Sequence, residues 1–255
     1  MTTSAKPSPR ANVLGIEIDR LDMRGTIARC EEIIERRQPS QHLAVSATNV
    51  VALHEDPKLR DVARSCAIVS ADGLGVVWAS RLLGDPLPER VNAMDLMERL
   101  FVVAEEKGYR VFILGATDEV LEAAVARLRE LHPRLVIAGY RNGYYDEAAN
   151  DEVIEDIRRA SPDILFAAMP SPKKEYWLAQ HRERLGVPLL IGVGGAIDVV
   201  AGVARRAPLW VQRSGFEWFY RMVQEPRRLA RRFLVGNAKF LYRLAVALLA
   251  NRRHG

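Results

Sequence analysis

The stretch AIVSADGLG, residues 67–75, holds the pattern that decides the fold: a short apolar run that ends in a polar, glycine-rich turn. Residues 67–71 are apolar or small, as in a buried strand, and a helix with periodic apolar residues follows from Val76. A carboxylate directly after a parallel strand lies at the edge where α/β sheets bind ligands. Asp72 is therefore a candidate functional residue, although its spacing is equally consistent with a helix cap.

Short apolar runs and amphipathic stretches alternate along most of the chain. The runs typical of strands are residues 12–19, 43–47, 67–71, 110–114, 135–139, 163–169 and 188–193. Helical spacing of apolar residues lies between them, first over residues 23–37. Thr48-Asn49, directly after the second run, is predicted to cap the next helix. This repeated alternation predicts an α/β, Rossmann-like fold with a mostly parallel, doubly wound sheet.

The composition is that of an ordinary globular protein, with 49% hydrophobic and 27% charged residues in a chain of 255. Cys30 and Cys66 form neither a CxxC motif nor a Cys/His cluster, so neither a disulfide framework nor a zinc site is indicated. No Asp-x-Asp motif occurs and the histidines are scattered, so we expect no metal and no cofactor. No helix-turn-helix, RNP or zinc pattern predicts nucleic-acid binding.

Positive charge is concentrated near the C-terminus. Residues 205–255 hold 12 Lys/Arg and two acids, whereas residues 1–204 hold 25 Lys/Arg and 30 acids. Aromatic residues and arginines are interleaved there at helical spacing, which is typical of a helix lying on an anionic membrane surface. No stretch is expected to reach the roughly 18–20 apolar residues of a membrane span. The nearest, Phe240–Ala250, is interrupted by Arg243.

These patterns divide the chain into three parts. Residues 1–11 are rich in Ser, Pro and Lys without an apolar segment, which predicts a mobile tail and not a signal peptide. Residues 12–208 are expected to form the α/β domain. Residues 209–255 are expected to form a basic, amphipathic helical appendage that associates with a membrane. The use of cysteine favours a reducing, cytoplasmic environment.

Motifs spread over residues 13–232 resemble those of the WecG/TagA/CpsF family of bacterial glycosyltransferases. The matching pieces are Thr48-Asn49, Ala71-Asp72-Gly73-x-Gly75, Arg90-Val91 with Asp95, Gly115, Gly139-Tyr140 with Gly143-Tyr144, Pro172-Lys173-x-Glu175, Gly192-x-Gly194-Gly195 with Asp198, Arg206-Ala207-Pro208, Glu217-Trp218-x-x-Arg221 and Glu225-Pro226-x-Arg228. Each piece is short, but their combination is specific.

The resemblance implies a UDP-sugar-dependent glycosyltransferase, with residues 12–208 as its catalytic domain, that acts in cell-surface polysaccharide biosynthesis. It implies transfer, with inversion, of a hexose or N-acetylhexosamine such as N-acetylmannosamine, its uronic acid or glucose. The implied acceptor is a polyprenyl-diphosphate-linked sugar. The implied location is peripheral, on the anionic inner face of the cytoplasmic membrane, and a homo-oligomer is left open.

The resemblance also implies roles for individual residues. Asp72 is expected to act as the general base, and Thr48 to line the same catalytic pocket. Substrate contacts are expected from Asn49, Gly73, Arg90, Asp95, Gly115, Lys174, Glu175, Gly194, Arg206, Arg221, Arg228 and Arg231. Arg90 either contacts the diphosphate or only pairs with Asp95. The arginines suit phosphate because guanidinium binds its oxygens in bidentate geometry.

Two positions depart from the family pattern. Lys174 stands where the family usually has Gln, and Ala93 stands where Gly is common. Lys174 therefore either adds a cation beside the diphosphate or changes which sugar is bound.

Two other functions fit parts of the sequence. A Rossmann-type oxidoreductase fits the alternation and the glycine turns, although the first βα turn lacks G-x-G-x-x-G with an acid about 20 residues later. A non-enzymatic membrane-binding module fits the basic segment alone.

Overall fold

We describe the fold from a computed structural model that covers residues 9–254, and of Arg228 and residues 251–254 only the backbone is described. The chain begins with a β-hairpin of β1 (Arg10–Val13) and β2 (Ile16–Asp19), which pair antiparallel. β1 includes two residues of the predicted tail, and residues 1–8 of that tail lie outside the described residues. The prediction of one strand over residues 12–19 was wrong. Leu14 and Gly15, with φ of 52° and 80°, form a tight turn within the alternating pattern.

Six further strands form one sheet in which every pairing is parallel. They are β3 (Ser40–Val45), β4 (Ile68–Ala71), β5 (Arg110–Gly115), β6 (Val136–Arg141), β7 (Ile164–Ala168) and β8 (Leu189–Gly192). Their order across the sheet is β4, β3, β8, β7, β5, β6. This topology confirms the predicted α/β, Rossmann-like fold.

Helices connect the strands and continue beyond the last one. They are α1 (Met23–Arg36), α2 (Ala47–Glu55), α3 (Pro57–Ser65), α4 (Leu74–Leu82), α5 (Ala93–Lys107), α6 (Asp118–Leu131), α7 (Asn150–Ala160), α8 (Lys173–Leu185), α9 (Ala196–Val200), α10 (Leu209–Arg213), α11 (Glu217–Gln224) and α12 (Pro226–His254), with a 3-10 turn at Glu147–Ala149.

Both faces of the sheet are covered by helices. Alternate strand residues such as Ile113 and Ile191 are buried with α1, α5, α6 and α9. On the opposite face, Leu190 is buried with α7 and α8, and Val45 with α2, α3, α4 and α12. The neighbouring strands β3 and β8 are thus followed by helices on opposite faces. Their carboxyl ends form the crevice at which such sheets bind ligands.

The start of α2 differs from the prediction because β3 ends two residues earlier than the apolar run. Ser46 is the N-cap, and its Oγ accepts a hydrogen bond from the Asn49 amide at 3.4 Å. Thr48 and Asn49 therefore lie in the first turn of α2 instead of capping it. This places both side chains at the carboxyl end of β3, beside the crevice.

α12 packs along α2, at one end of the sheet. Phe240 and Leu244 are 3% and 8% exposed within the core that includes α2. Lys239 Nζ lies 2.7 Å from Glu55 Oε1 at the C-terminal end of α2. These contacts hold the helix against the α/β domain, while the division of the chain at residue 208 stays a prediction.

The expectation that no stretch reaches the length of a membrane span was wrong. Leu229–Ala250 is 22 helical residues with a hydropathy of 1.5, and 11% of its most apolar window is buried. Arg243 does not interrupt the helix, because the segment is apolar enough on average even with Lys239 and Arg243 included. By length and composition alone, α12 could cross a membrane.

Candidate active site at the carboxyl edge of the sheet

Asp72 lies between β4 and α4, but its side chain is hydrogen-bonded to the start of another helix, α5. Its Oδ1 accepts a hydrogen bond from the Ala93 amide, the first residue of α5, at 2.9 Å. Gly73, and not Asp72, is the N-cap of α4 and makes no side-chain capping bond. The alternative that Asp72 caps the helix after its own strand is therefore wrong. No described residue donates a hydrogen bond to its Oδ2.

Burial and nearby charge act on Asp72 in opposite directions. Desolvation raises the pKa of its carboxyl group above the ordinary aspartate value. The Ala93 amide and the positive charges of Arg90, Lys174 and Arg221 lower this pKa and offset part of the rise. A carboxylate with a raised pKa accepts a proton more readily than an ordinary aspartate, which suits a general base.

The three cations around Asp72 come from three separate parts of the chain. Arg90 precedes α5, Lys174 lies in the first turn of α8, and Arg221 lies in α11. Arg221 reaches the end of β8, since a Cβ placed on Gly195 would lie 2.8 Å from Arg221 Nη2. The fold thus brings an arginine of the basic C-terminal segment to the crevice beside β8, close enough to act on the pKa of Asp72.

Arg90 belongs to an ion-pair network that ties the C-terminal segment to α5. Its Nη2 lies 3.3 Å from Asp95 Oδ2, and its Nη1 lies 2.9 Å from Glu217 Oε2 in α11. Arg206 pairs with the other oxygen of Asp95 and, at 3.0 Å, with Glu98 Oε2. The pairing of Arg90 with Asp95 matches one of the two alternatives, and the pairing of Arg90 with Glu217 was not predicted. Substrate contacts of Arg90, Asp95 and Arg206 stay predictions.

Lys174 and Glu175 form a buried ion pair at the crevice. Their side chains are 13% and 2% exposed, and Lys174 Nζ donates to Glu175 Oε1. A Cβ on Gly192 would lie 2.6 Å from Lys174 Cε, so this glycine leaves room for the lysine stem at the end of β8. The ammonium therefore lies between β3 and β8, the neighbouring strands that are followed by helices on opposite faces of the sheet.

A small polar cavity of about 10 Å³ lies beside this pair, which is room for about one water. Gln41, His42, Lys174 and Glu175 are among its lining residues. Gln41 Oε1, His42 Nδ1 and Glu175 Oε2 are buried without a hydrogen-bond partner among the described residues. A single bridging water would satisfy such groups, and this cavity is too small for a sugar.

Thr48 is mostly buried, and its two branches make different contacts. Its Oγ1 lies 3.0 Å from Ser46 Oγ. Its methyl carbon Cγ2 faces Gly236 of α12. Ser46 Oγ also donates to Asn49 Oδ1. Ser46 was missed because it lies inside the run of residues 43–47 that was predicted as a strand, although serine is a preferred N-cap residue.

The predicted glycines differ in what surrounds them. Gly115 has φ of +128°, and a Cβ on it would lie 2.4 Å from the carbonyl oxygen of Ala168, so packing between β5 and β7 already requires glycine. Gly73 has nothing within 4 Å of its ideal Cβ position, which leaves open space beside Asp72. Gly194 adopts a positive φ of 54° after β8. Contacts of all three with substrate stay predictions.

The remaining predicted arginines lie at the start of α12. Arg231 is exposed, and the side chain of Arg228 lies outside the described part of the chain. Arg227 is also exposed. The basic segment therefore reaches the site through Arg221, while the first turns of α12 present positive charge to solvent.

Exposed aromatic residues lie in α4, in α10 and around the start of α11. Trp78 in α4 is 48% exposed, Trp210 in α10 is 73% exposed and Phe216 is 57% exposed. A Cβ on Gly215 would lie 3.0 Å from the Trp78 ring, so α4 and the segment between α10 and α11 are neighbours. We call Trp78, Leu82, Leu209, Trp210, Phe216 and Phe219 the aromatic patch. A patch of this kind next to arginines indicates an interaction surface. The contribution of α4 was missed in the sequence.

The comparisons with known proteins match most of the chain. The sequence model of the glycosyl transferase WecG/TagA/CpsF family matches residues 11–254. The chain is 30% identical over 242 residues to the N-acetylglucosaminyldiphosphoundecaprenol N-acetyl-beta-D-mannosaminyltransferase of Staphylococcus aureus (strain MW2), which covers 93% of each chain. It is 36% identical over 171 residues to the protein of the same description from Bacillus subtilis (strain 168), which covers 67% of this chain and 66% of the relative. The expected resemblance is confirmed, and the chain belongs to the WecG/TagA/CpsF family of glycosyl transferases.

Proposed function

We propose that the protein is an inverting glycosyltransferase that moves a hexose or N-acetylhexosamine from a UDP-sugar to a polyprenyl-diphosphate-linked sugar. The observation that carries the proposal is the position of Asp72, a desolvated carboxylate at the crevice edge with cations around it. The names of the relatives, which specify an N-acetylglucosaminyldiphosphoundecaprenol acceptor and an N-acetylmannosaminyl group, support this class of substrates. Family membership favours it over an oxidoreductase or a non-enzymatic module.

The proposed chemistry requires a base and a stabilised leaving group. Asp72 Oδ2 accepts the proton of an acceptor hydroxyl while the oxygen of that hydroxyl attacks C1 of the donor sugar. The bond from C1 to the β-phosphate oxygen breaks on the opposite face, which inverts the configuration, and the electron pair leaves with UDP. The raised pKa of Asp72 favours proton acceptance, and burial limits competition from water.

The leaving diphosphate needs positive charge, and the crevice supplies it from protein groups. Arg221 over Gly195 and Lys174 over Gly192 both lie at the end of β8. Guanidinium can bind two phosphate oxygens, whereas the Lys174 ammonium acts as a point charge that Glu175 holds in place. Arg90 would contribute only if the diphosphate replaced one of its carboxylate partners. These groups stabilise charge that develops as UDP departs.

Transfer from a UDP-sugar is tested by a donor screen. We expect the protein with a polyprenyl-diphosphate N-acetylglucosamine acceptor to form one disaccharide product from one of several UDP-hexoses or UDP-N-acetylhexosamines, identified by mass. Asp72→Asn should lower kcat by about 10²–10⁴-fold, the usual contribution of a positioned general base. UDP binding by this variant, measured by calorimetry, should stay near the wild-type value. Tight NAD binding without UDP binding, or wild-type turnover by Asp72→Asn, would contradict the proposal.

The raised pKa of Asp72 leads to a prediction for the pH dependence of transfer. The base must be ionised, so the acid limb of kcat/KM should lie above the ordinary aspartate pKa, since burial raises the pKa of Asp72. Arg221→Gln removes a charge that lowers this pKa, so the limb should move to higher pH.

The same raised pKa has a consequence for stability. A carboxyl group whose pKa is higher in the folded than in the unfolded state favours folding while protonated, and this contribution is lost as pH rises through the folded pKa. Asp72→Asn should therefore gain unfolding free energy relative to wild type between acidic and neutral pH, measured by urea denaturation at each pH. A relative loss over that range would show that burial does not raise this pKa.

We further propose that the protein is peripheral on the inner face of the cytoplasmic membrane. The aromatic patch and the basic segment support this location, because aromatic rings suit the lipid interface and arginines suit anionic headgroups. α12 also exposes apolar side chains to solvent, at Leu234, Leu241, Tyr242 and Leu249. The contacts of Phe240, Leu244 and Lys239 with the α/β domain favour a helix that lies along this domain over one that crosses the bilayer.

Vesicle sedimentation tests the surface. The protein should bind vesicles that contain anionic lipid and release them as salt is raised, because headgroup attraction is screened beyond about 10 Å at 0.1 M salt. Trp78→Ser with Trp210→Ser should weaken binding by about 30-fold or more, since each of the two buried aromatic rings contributes about 1 kcal/mol or more. Tyr144→Ser, in the loop after β6 and 78% exposed, is the matched control. Equal loss in the control, or no loss in the double variant, would contradict this surface.

A further inference from the structure

The backbone of α12 approaches the α/β domain closely at Gly236. A Cβ on this glycine would lie 2.7 Å from Thr48 Cγ2 and 3.1 Å from Thr48 Cβ. Carbon atoms in favourable contact lie about 3.5–4.0 Å apart, so any side chain at 236 would push the two helices apart by about 1 Å. Glycine weakens a helix interior, and its presence inside a 29-residue helix needs a packing reason. Contact with Thr48 is that reason.

Contacts further along the same helix extend this one. Phe240, one turn after Gly236, and Leu244, two turns after it, are buried in the core shared with α2. Lys239 pairs with Glu55 at the far end of α2. Gly236 meets the first turn of α2 and Lys239 meets its last residue, so the two helices run side by side in one register. A one-turn slip of α12 would move Gly236 away from Thr48.

The register of α12 also sets the position of the basic segment. α12 begins at Pro226, directly after α11, which carries Arg221. At about 1.5 Å per residue, Gly236 lies about 15 Å along the helix from this start. A shift at Gly236 is therefore passed along α12 to Phe233, whose ring lies 6.0 Å from that of Trp218, and through this contact to α11, which carries Arg221. Arg221 lies against Gly195 at the crevice, where a displacement of about 1 Å is enough to impair catalysis.

Both the hydroxyl group and the methyl group of Thr48 make contacts. It is 9% exposed, its hydroxyl lies 3.0 Å from Ser46 Oγ, and its methyl group fills the space that Gly236 leaves. The side chain therefore joins the crevice to α12.

We propose that Gly236 and Thr48 form a joint that fixes α12 in register and so positions Arg221 over the crevice beside Asp72. Gly236 is thus a positioning residue. The measurement of turnover rests on the proposed function, whereas the measurement of the packing between α12 and α2 does not. The residue type at 236 and the methyl group at 48 are complementary in size, so a change at one position should be compensated by a change at the other.

The test is a size-complementation experiment on the full chain. Gly236→Ala should lower kcat by about 10-fold or more, with UDP-sugar turnover on the polyprenyl acceptor as the assay, because a misplacement of about 1 Å is costly at a reacting centre. The substitution improves helix propensity, so an effect through helix stability alone would have the opposite sign. Thr48→Ser, which removes Cγ2 and keeps the hydroxyl, should restore most of the lost turnover when combined with Gly236→Ala. Ala238→Ser, which adds one heavy atom at an exposed position of α12, is the matched control and should keep wild-type turnover.

Amide hydrogen exchange over residues 236–244 gives a second readout that does not depend on activity. Exchange should rise in Gly236→Ala and return toward wild type in the double variant, while the control stays protected. Wild-type turnover and exchange in Gly236→Ala would overturn the joint, and so would loss without recovery in the double variant. If the wild-type chain transfers no sugar, the proposed function fails, and the exchange data alone decide on the joint.

Discussion

The site depends on one electrostatic balance, that of the Asp72 carboxylate between burial and positive charge. Burial alone disfavours the ionised form, and the Ala93 amide with the charges of Arg90, Lys174 and Arg221 favours it. A carboxylate held between these effects can take up a proton and return to its ionised state. The same cations that keep Asp72 ionised lie where the diphosphate of a nucleotide sugar would need them. In the proposed mechanism, the base and the stabilisation of the leaving group therefore depend on one set of residues.

That balance requires the C-terminal segment to lie on the α/β domain. Arg90 and Asp95 connect the start of α5 to Glu217 in α11 and to Arg206 before α10. Beyond this network, α12 packs on α2 through apolar residues and Gly236. Ion pairs at such partly exposed positions contribute little stability and are weakened by salt, whereas the apolar contacts of α12 are not. The C-terminal segment is thus held by ion pairs near α10 and α11 and by apolar contacts along α12.

The sequence predicted the fold class because β-strand and helix periods alternate clearly between residues 40 and 192. It placed Asp72 correctly at a strand end, since parallel strands present their carboxyl ends at one edge. It could not pair Arg90 with Glu217, because two residues so far apart in the chain meet only through tertiary packing. It also missed Ser46 as a cap and the early hairpin turn at Leu14, where local apolar patterns extend past the true ends of strands. Trp78 was missed because an exposed tryptophan in an apolar helix has the same pattern as a buried one.

The most direct test of this account is the affinity for UDP, measured by calorimetry, of the full chain and of Arg221→Gln. If the C-terminal segment supplies charge to the diphosphate at the Asp72 crevice, Arg221→Gln should weaken UDP binding by about 10-fold, or about 1.4 kcal/mol. Arg213→Gln, an exposed arginine of the same segment in α10, should bind UDP like wild type. Equal affinities for wild type and Arg221→Gln would contradict the account.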